Sequence, residues 1–506
     1  MSAARRAGLL LLPLVLSARL AAQEHEHRHD AGELGRVRFQ TSCAAGAQQR
    51  FERGLALLHS FWFSEADAAF RGALEADTTC GIALWGLATN FIRNPLAAPP
   101  SPAELAAGAD AARRAEGTGA RTARERGYIG AINVFYRDAP TLPHPRRMAL
   151  YRDSLAVLSA RYPDDPEAAI FHALALVATA SPTDTTYANQ RRAAGILNPL
   201  FARFPDHPGL AHYIIHANDS PQLAPLGLDA ARRYAAIAPA APHAQHMPSH
   251  IFIRLGLWDE TVAANQRSYE AGVAEVRQAG LSGLAAHEFH AMDYMVYGYL
   301  QQGNDSAARR VVDEAVRAPF VPLPGAGSPL AAWYGRAAMP ARLALERGDW
   351  QAAMALEVLP APDPTGEGIT RFARAVAAAR LGDTTRARVE VEALVRVRDT
   401  LSARGSAYWS RVMEIKRQAV EAWLLLAADD MTGALRLARA AADAEDVLAK
   451  HPVTPAEVVP ARELLADMLA QLGRHDEAAA AYREVLRLEP NRRRAMAGLA
   501  AMRGSR

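Results

Sequence analysis

The histidines of this chain concentrate in three short segments of its middle third. Seven of the sixteen histidines lie between positions 212 and 290, and these are His212, His216, His243, His246, His250, His287 and His290. Several of them are three or four residues apart, which places neighbouring rings on the same face of a helix. Such pairs can share one metal ion, and neutral imidazole suits zinc, copper and iron. The spacing therefore predicts a site for a divalent transition metal.

Carboxylates accompany two of these segments. Asp219 follows His216, and Asp293 follows His290. Each carboxylate could bind the metal directly or fix an imidazole ring through a hydrogen bond. The predicted metal ligands are His212, His216, His246, His250, His290, Asp219 and Asp293.

The elements that must position these residues are helices. Apolar residues recur at three- and four-residue spacing along most of the 506 residues, and few alternating runs are present. The net charge is +3, from 57 basic and 54 acidic residues, and basic residues do not cluster with aromatic ones. We therefore expect a helical protein that does not bind nucleic acid.

The first 22 residues are typical of a secretory signal peptide. Arg5 and Arg6 precede the apolar run 9–16, and the small residues Ala21 and Ala22 follow. We predict export to the periplasm or the extracellular space, a flexible His-rich segment over 23–44, and a mature protein without an integral membrane segment.

The two ends of the remaining chain carry the same small and aromatic residues at matching offsets. These are Gly54, Ala66 and Phe70 near the N-terminus, and Ala466, Ala478 and Tyr482 near the C-terminus. The pattern resembles the tetratricopeptide repeat, and the resemblance implies an all-α, right-handed superhelical solenoid of helical hairpins over 45–506. Its parts would be His-rich central hairpins over 207–303, a repeat over 456–490 and a capping helix.

Four segments carry a closer resemblance. The stretches 60–66, 85–88, 212–219 and 247–260 together resemble a group of exported bacterial tetratricopeptide-repeat proteins. That resemblance implies the fold and export, and no activity.

The polar residues recur at equivalent positions of successive hairpins. The recurring residues are His212, His246 and Asp293 at one position, and His216, His250, Tyr297 and Arg342 one turn later. In tetratricopeptide repeats this helix face lines a concave groove, so the resemblance implies a groove that holds a protein or peptide. Further candidates for binding in that groove are His243, His287, Arg254, Tyr297 and Arg342.

Three interpretations of this helix face remain open from the sequence. It could hold a metal, it could bind a peptide or an anion through Arg254 and Arg342, or it could form a buried hydrogen-bond network between hairpins. The first two interpretations favour a scaffold protein. Its groove would bind a partner through a His/Asp cluster that holds a metal ion. The alternative is a metal carrier or a metal-dependent enzyme that activates water. In an enzyme, Asp219 or Asp293 would act as a base.

Cysteines and prolines leave further alternatives. Cys43 and Cys80 lie one repeat length apart, and they could form a disulfide or remain separate thiols.

Pro248 and Pro340 each follow a methionine at the same repeat position. Either proline should kink its helix, and the bend could aim nearby side chains or only set the curvature of the solenoid.

Overall fold

The computed structural model describes residues 31–97, 99–118 and 120–504, which form helices joined by short connections. The predicted signal peptide and the histidines of residues 23–30 lie outside the described residues. Within the described part of the chain the helices pack as successive hairpins, and the predicted all-α class is confirmed.

The first nine helices build the N-terminal hairpins. Their bounds are α1 Ala31–Leu34, α2 Ala45–His59, α3 Phe63–Ala76, α4 Gly81–Asn90, α5 Pro102–Thr118, α6 Ala123–Tyr136, α7 His144–Arg161, α8 Pro166–Ala178 and α9 Ala188–Arg203. The central helices, which carry the clustered histidines, are α10 Pro208–Asn218, α11 Ala224–Ile237, α12 Pro242–His246, α13 Pro248–Arg254, α14 Trp258–Gln278, α15 Ala286–Gln301, α16 Asp305–Arg317 and α17 Pro329–Glu346.

The remaining helices build the C-terminal hairpins. Their bounds are α18 Trp350–Met354, α19 Thr365–Arg380, α20 Thr384–Ala403, α21 Ala407–Ala427, α22 Met431–Asp446, α23 Ala461–Gln471, α24 His475–Leu488 and α25 Arg493–Gly504. No helix among the described residues is long and apolar enough to cross a membrane.

Close packing of glycine against an aromatic ring joins neighbouring hairpins. The ring of Phe70 on α3 lies between Gly54 on α2 and Gly86 on α4, where an added β-carbon would be 2.7 Å and 2.6 Å from the ring. Tyr482 on α24 lies in the same way against Gly498 on α25. These contacts allow the helix axes to approach closely, and they fix how one hairpin stacks on the next.

The two prolines act differently. Pro248 separates α12 from α13, and Met247 between them keeps near-helical angles, so the two short helices nearly continue each other. Pro340 lies inside α17, which runs unbroken from Pro329–Glu346. The first proline therefore divides the helix that carries His246 and His250, and the second does not divide its helix.

The C-terminal repeat packs against the middle of the chain. The indole Nε1 of Trp258 donates to the carbonyl oxygen of Asn491 at 3.1 Å, across 233 positions. The backbone N–H of Arg493 donates to Oε1 of Gln301 at 2.8 Å. Through these contacts the last repeat supports the helices that carry the histidines.

A disulfide joins Cys43 and Cys80 across a sequence separation of 37. Of the two alternatives that the sequence left open, the structure contains the bond. It ties the residues before α2 to the start of α4, and it therefore holds the first two hairpins together.

Replacing both cysteines by serine is expected to lower the free energy of unfolding of these hairpins by about 2–4 kcal/mol, because the bond restricts the unfolded chain. Urea unfolding followed by the fluorescence of Trp62 and Trp85 measures the change. Reduction of the wild-type protein should reproduce it, and a double variant as stable as the wild type would contradict the expectation.

Candidate metal centre

Three histidines from two helices form a first triad. His212 and His216 lie on α10 and His243 on α12, and one ligand atom from each lies within 4.8 Å of the other two. The Nε2 atoms of His212 and His216 are 3.1 Å apart. Because His212 Nδ1 donates to the carbonyl oxygen of His59 at 2.6 Å, its Nε2 atom is left as an acceptor.

Three further histidines, each from a different helix, form a second triad. They are His246 on α12, His250 on α13 and His290 on α15, and one ligand atom from each lies within 4.8 Å of the other two. The Nε2 atoms of His246 and His250 are 3.0 Å apart. The two triads adjoin, since the rings of His216 and His250 have centroids 6.0 Å apart.

Hydrogen bonds fix the tautomers of two rings in the second triad. The side-chain amide of Asn265 donates to the carbonyl oxygen of Thr261 at 2.8 Å, so its Oδ1 must accept from His246 Nδ1 at 2.6 Å. His250 Nδ1 donates to the carboxylate of Asp219 at 2.8 Å. In their neutral forms, both rings therefore direct Nε2 lone pairs at each other, an arrangement that only a cation between them makes favourable.

Burial keeps these imidazoles neutral. Loss of solvent lowers the pKa of His212 to about 3. Burial is also the main cause of the lowered pKa values of His246 and His250, and the Asp219 carboxylate opposes the shift at His250. Within the described part of the chain, His243 Nε2 and His290 Nδ1 are buried without a hydrogen-bond partner. Each triad therefore contains a third imidazole with an unsatisfied ring nitrogen.

The surroundings of the two triads differ. The ring of Phe61 contacts the first triad, with its centroid 4.5 Å from that of His212 and 5.5 Å from that of His243. Phe61 has a φ of 54°, a left-handed conformation that costs a non-glycine residue free energy unless its neighbours impose it. The second triad instead faces the phenol of Tyr294, whose hydroxyl oxygen lies 3.4 Å from His250 Nε2.

A carboxylate with two cationic partners lies behind the second triad. Asp219 accepts from Arg254 at 2.9 Å and is 3.3 Å from Lys450 Nζ, in addition to its bond with His250. The side chain of Lys450 is 7% exposed, and burial lowers its pKa to about 8. These residues line one part of a cavity of about 490 Å³.

A third histidine cluster is a hydrogen-bond network around Glu167, in which Nδ1 of His207 is buried without a partner among the described residues. The Nε2 atoms of His59 and His207 donate to the two carboxylate oxygens of Glu167 at 2.9 Å and 2.8 Å. Nδ1 of His59 accepts from the hydroxyl of Tyr213 at 3.0 Å. Because both Nε2 atoms carry protons, this cluster needs no metal, and it differs in that respect from the two triads.

Two of the seven predicted metal ligands, Asp293 and Asp219, lie outside the triads. Asp293 faces Arg342 at 3.4 Å, and burial raises its pKa to about 6 despite that arginine. The spacing of Asp293 from His290 is helical, but its carboxylate meets the guanidinium of the next hairpin and lies outside both triads. Asp219 has the second of the two roles expected for it, because it orients His250 through Nδ1, and it joins neither triad.

The residues that were predicted to bind a ligand in the groove do not form one surface. His243 belongs to the first triad, whereas His287 lies outside both triads, with Nε2 3.1 Å from the hydroxyl oxygen of Ser268. The hydroxyl of Tyr297 donates to Glu489 at 2.9 Å. Arg342 is buried, and Arg254 pairs with Asp219.

The expected open groove over these helices is covered. The connection 447–460 between α22 and α23 lies against them, and Arg342 donates to the carbonyl oxygens of Ala456 at 3.0 Å and Glu457 at 2.8 Å. Tyr334 donates to Thr454 Oγ1 at 3.1 Å. The prediction of an exposed groove at these positions is therefore corrected. The segment that covers these helices lies more than 100 positions from Tyr334 in the sequence, so the spacing of the repeats does not predict the contact.

Sequence reasoning missed Asn265 and Lys450, and it missed the cluster around Glu167. None of them occupies a repeated offset beside the histidines, and each reaches its partner through tertiary packing. Lys450 could have been noticed as one of few lysines in a chain whose basic residues are mostly arginines.

A family model for the tetratricopeptide repeat matches residues 460–492. The chain therefore contains this repeat at its C-terminus, where α23 and α24 form a hairpin. No curated protein sequence matches the chain.

Solved helical-repeat structures align over most of the chain at low similarity. The P58(IPK) TPR domain is 11% identical, with a TM-score of 0.22, over 91% of this chain and 98% of that one. A human IFIT1 dimer with m7Gppp-AAAA is 11% identical, with a TM-score of 0.34, over 83% of this chain and 90% of that one. Neither similarity is close enough to support an inference about this chain.

Proposed function

We propose that this chain is a metal-binding helical-repeat protein that holds one divalent transition-metal ion in each histidine triad. The observation that carries the proposal is the pair His246 and His250, whose Nδ1 atoms are both engaged as donors while their Nε2 atoms face each other at 3.0 Å. A shared proton would make one ring cationic, and burial disfavours that form in both rings. A metal ion fills the same position and leaves both imidazoles neutral.

The separation of the ligand atoms supports this proposal. Two imidazole nitrogens bound to one tetrahedral zinc ion at roughly 2.0–2.1 Å are about 3.3–3.4 Å apart. The observed separations of 3.1 Å in the first triad and 3.0 Å in the second are close to this distance, and a bound ion would move the rings slightly apart. Histidine ligands usually donate their other ring nitrogen to a carboxylate or carbonyl, and His212, His246 and His250 each have such a partner.

The surroundings of the histidines favour a metal protein over a peptide-binding scaffold at these positions. A protein or peptide partner in the groove would have to displace residues 447–460, whose side chains at Thr454 and Val458 are buried. A buried hydrogen-bond network explains the third cluster, since Glu167 accepts from both of its histidines. It does not explain the facing Nε2 atoms of His246 and His250, whose Nδ1 atoms both act as donors.

Metal analysis of the untagged protein tests the proposal. Purified protein without residues 1–30, dialysed against zinc and then against a weak chelator, should retain two zinc ions per chain, one for each triad. Removing these residues excludes the N-terminal histidines as a source of bound metal. Protein that retains no zinc, and whose melting temperature does not respond to zinc or copper, would contradict the proposal.

Loss of the amide that orients His246 is expected to weaken the second site. In Asn265→Ala, the His246 ring loses its partner at 2.6 Å, and the affinity for zinc should fall by roughly 10- to 100-fold, as for other residues that orient ligands. Competition with a zinc-binding dye measures the affinity. Asn218→Ala is the matched control, because Asn218 is buried on α10 and bonds to Ile214 rather than to a histidine. Equal losses in both variants would indicate general unfolding instead.

We further propose that the protein is exported, as the first 22 residues suggest. The Cys43–Cys80 disulfide supports this location, because disulfides persist in oxidising compartments. Fractionation of the native host with an antibody against the chain tests it, and the mature N-terminus should follow Ala22.

A further inference from the structure

The phenol ring of Tyr294 packs against all three histidines of the second triad. Its centroid is 4.7 Å from that of His246, 5.3 Å from that of His250 and 5.0 Å from that of His290. Tyr294 and His290 lie four residues apart on α15, so helix geometry places them on the same face. Tyr294 is fully buried, and its hydroxyl oxygen is 3.4 Å from Nε2 of His250. A phenol oxygen therefore adjoins one of the two ring nitrogens that face each other in this triad.

The contacts of the Tyr294 hydroxyl with the described residues are all 3.3 Å or longer. The carbonyl oxygens of Pro452 and Thr454 lie 3.4 Å and 3.3 Å from it, whereas hydroxyl groups usually donate over roughly 2.5–3.0 Å. The buried hydroxyl of Tyr297, on the same helix, donates to Glu489 at 2.9 Å. The Tyr294 oxygen is thus buried without a short hydrogen bond, a condition that calls for a further partner.

We propose that Tyr294 is the fourth ligand of the metal ion in the second triad and binds it as a phenolate. The inference rests on the proposed function, since it requires the ion. Three imidazole ligands leave a tetrahedral ion with one position free, and ligand atoms around such an ion are about 3.3–3.4 Å apart. The 3.4 Å between the Tyr294 oxygen and Nε2 of His250 matches this separation.

Binding as a phenolate exchanges the hydroxyl proton for the ion. The bond between oxygen and metal forms, the O–H bond breaks, and the proton is released to the solvent, with no change of oxidation state. A buried phenolate alone would be unfavourable, and its bond to a divalent ion offsets that cost. The ligand also lowers the charge that the ion brings into the buried site, which three neutral imidazoles do not. The ammonium group of Lys450, 3.5 Å from the oxygen, is placed to donate to the phenolate.

Tyrosines beside the first triad direct their hydroxyls elsewhere. The rings of Tyr213 and Tyr234 both contact His212, with centroids 5.1 Å and 5.3 Å from that of the imidazole. The hydroxyl of Tyr213 donates to His59 Nδ1 at 3.0 Å, and that of Tyr234 donates to Ser60 Oγ at 3.3 Å. The phenolate ligand is accordingly assigned to the second triad alone, and the two sites should differ in their spectra.

Absorption and resonance Raman spectroscopy of the copper(II)-loaded protein, without residues 1–30, tests the inference. A phenolate bound to copper(II) gives a visible charge-transfer band, and excitation into this band enhances the ring vibrations of the bound tyrosine. The wild-type protein should show both signals. Tyr294→Phe should lose both signals, and one of its two copper ions should bind about tenfold more weakly or worse, because loss of a ligand should cost at least as much as loss of an orienting residue. Its metal-free form should melt like the metal-free wild type, since the hydroxyl makes no short hydrogen bond.

Tyr297→Phe is the matched control. It removes a hydroxyl from another buried tyrosine of α15, whose partner is Glu489 rather than a histidine. Its spectrum and its copper affinity should equal those of the wild type. If the wild-type protein binds copper without phenolate vibrations, or if Tyr294→Phe keeps them, the tyrosine ligand is wrong while the metal sites stand. If copper fails to bind, both proposals are wrong.

Discussion

Replacing His250 by alanine is expected to reduce the metal content of the protein from two ions per chain to one. The second triad would keep His246 and His290, which leaves two ligands and removes one of the two facing Nε2 atoms. Loss of a direct ligand should cost more than the roughly 10- to 100-fold that follows loss of an orienting residue. The ion should then be lost on dialysis. The first triad has its own three histidines and should keep its ion.

His287→Ala is the matched control for this variant. His287 lies on α15, three residues before His290, but its ring is hydrogen-bonded to the hydroxyl of Ser268 and belongs to neither triad. Its removal should leave the metal content at two ions per chain, as measured by inductively coupled plasma mass spectrometry. Equal metal content in His250→Ala and His287→Ala would mean that the facing rings do not hold an ion. In His216→Ala/His250→Ala, both ions should be absent.

Replacing Arg492 by methionine is expected to destabilise the docking of the C-terminal repeat by about 3–5 kcal/mol, the usual cost of leaving a buried charge without its partner. The Arg492 side chain is fully buried and pairs with Glu463 at 2.7 Å and Glu346 at 2.5 Å. It also lies 3.3 Å from Glu489. Methionine would remove this partner from Glu346, whereas Glu463 would keep Arg494 at 2.8 Å and Glu489 would keep the hydroxyl of Tyr297 at 2.9 Å.

Unfolding in urea, followed by tryptophan fluorescence, measures this change. Of the seven tryptophans, Trp258 reports on the docking of the repeat, because its indole donates to the carbonyl oxygen of Asn491 beside the arginine. Arg487→Gln should shift the transition by less than about 0.5 kcal/mol, since its pair with Glu484 is largely exposed. If the Arg492 variant were as stable as that control, the buried network would contribute little to the packing of the repeat.

The sequence was informative where its signals are local. Helical periodicity predicted hairpins, and the small and aromatic residues around Phe70 and Tyr482 predicted how neighbouring helices approach. The spacings of His212 with His216 and of His246 with His250 placed each pair on one helix face, and the structure brings each pair to within 3.1 Å. The two histidine pairs are each four residues apart, and helix geometry sets the first pair, whereas the second crosses the junction of α12 and α13 at Met247, which keeps near-helical angles.

The sequence was uninformative where packing joins distant segments. Lys450 reaches Asp219, the partner of His250, from a connection 200 positions beyond that histidine, and no repeat offset relates the two. Asp293 has the spacing of a ligand, but Arg342 of the next hairpin takes its carboxylate. Residues 447–460 cover a face that repeat architecture alone leaves open. Such contacts depend on how the hairpins stack, which the pattern within one hairpin does not determine.

Anomalous diffraction from crystals of the zinc-loaded protein tests the central claim most directly. Data collected on either side of the zinc absorption edge should show two peaks. One should lie within about 2.0–2.2 Å of Nε2 of both His246 and His250, and the other should lie between His212 and His216. A map with no peak between His246 and His250, and with the two rings still about 3 Å apart, would contradict the claim. It would show that a shared proton holds the rings together.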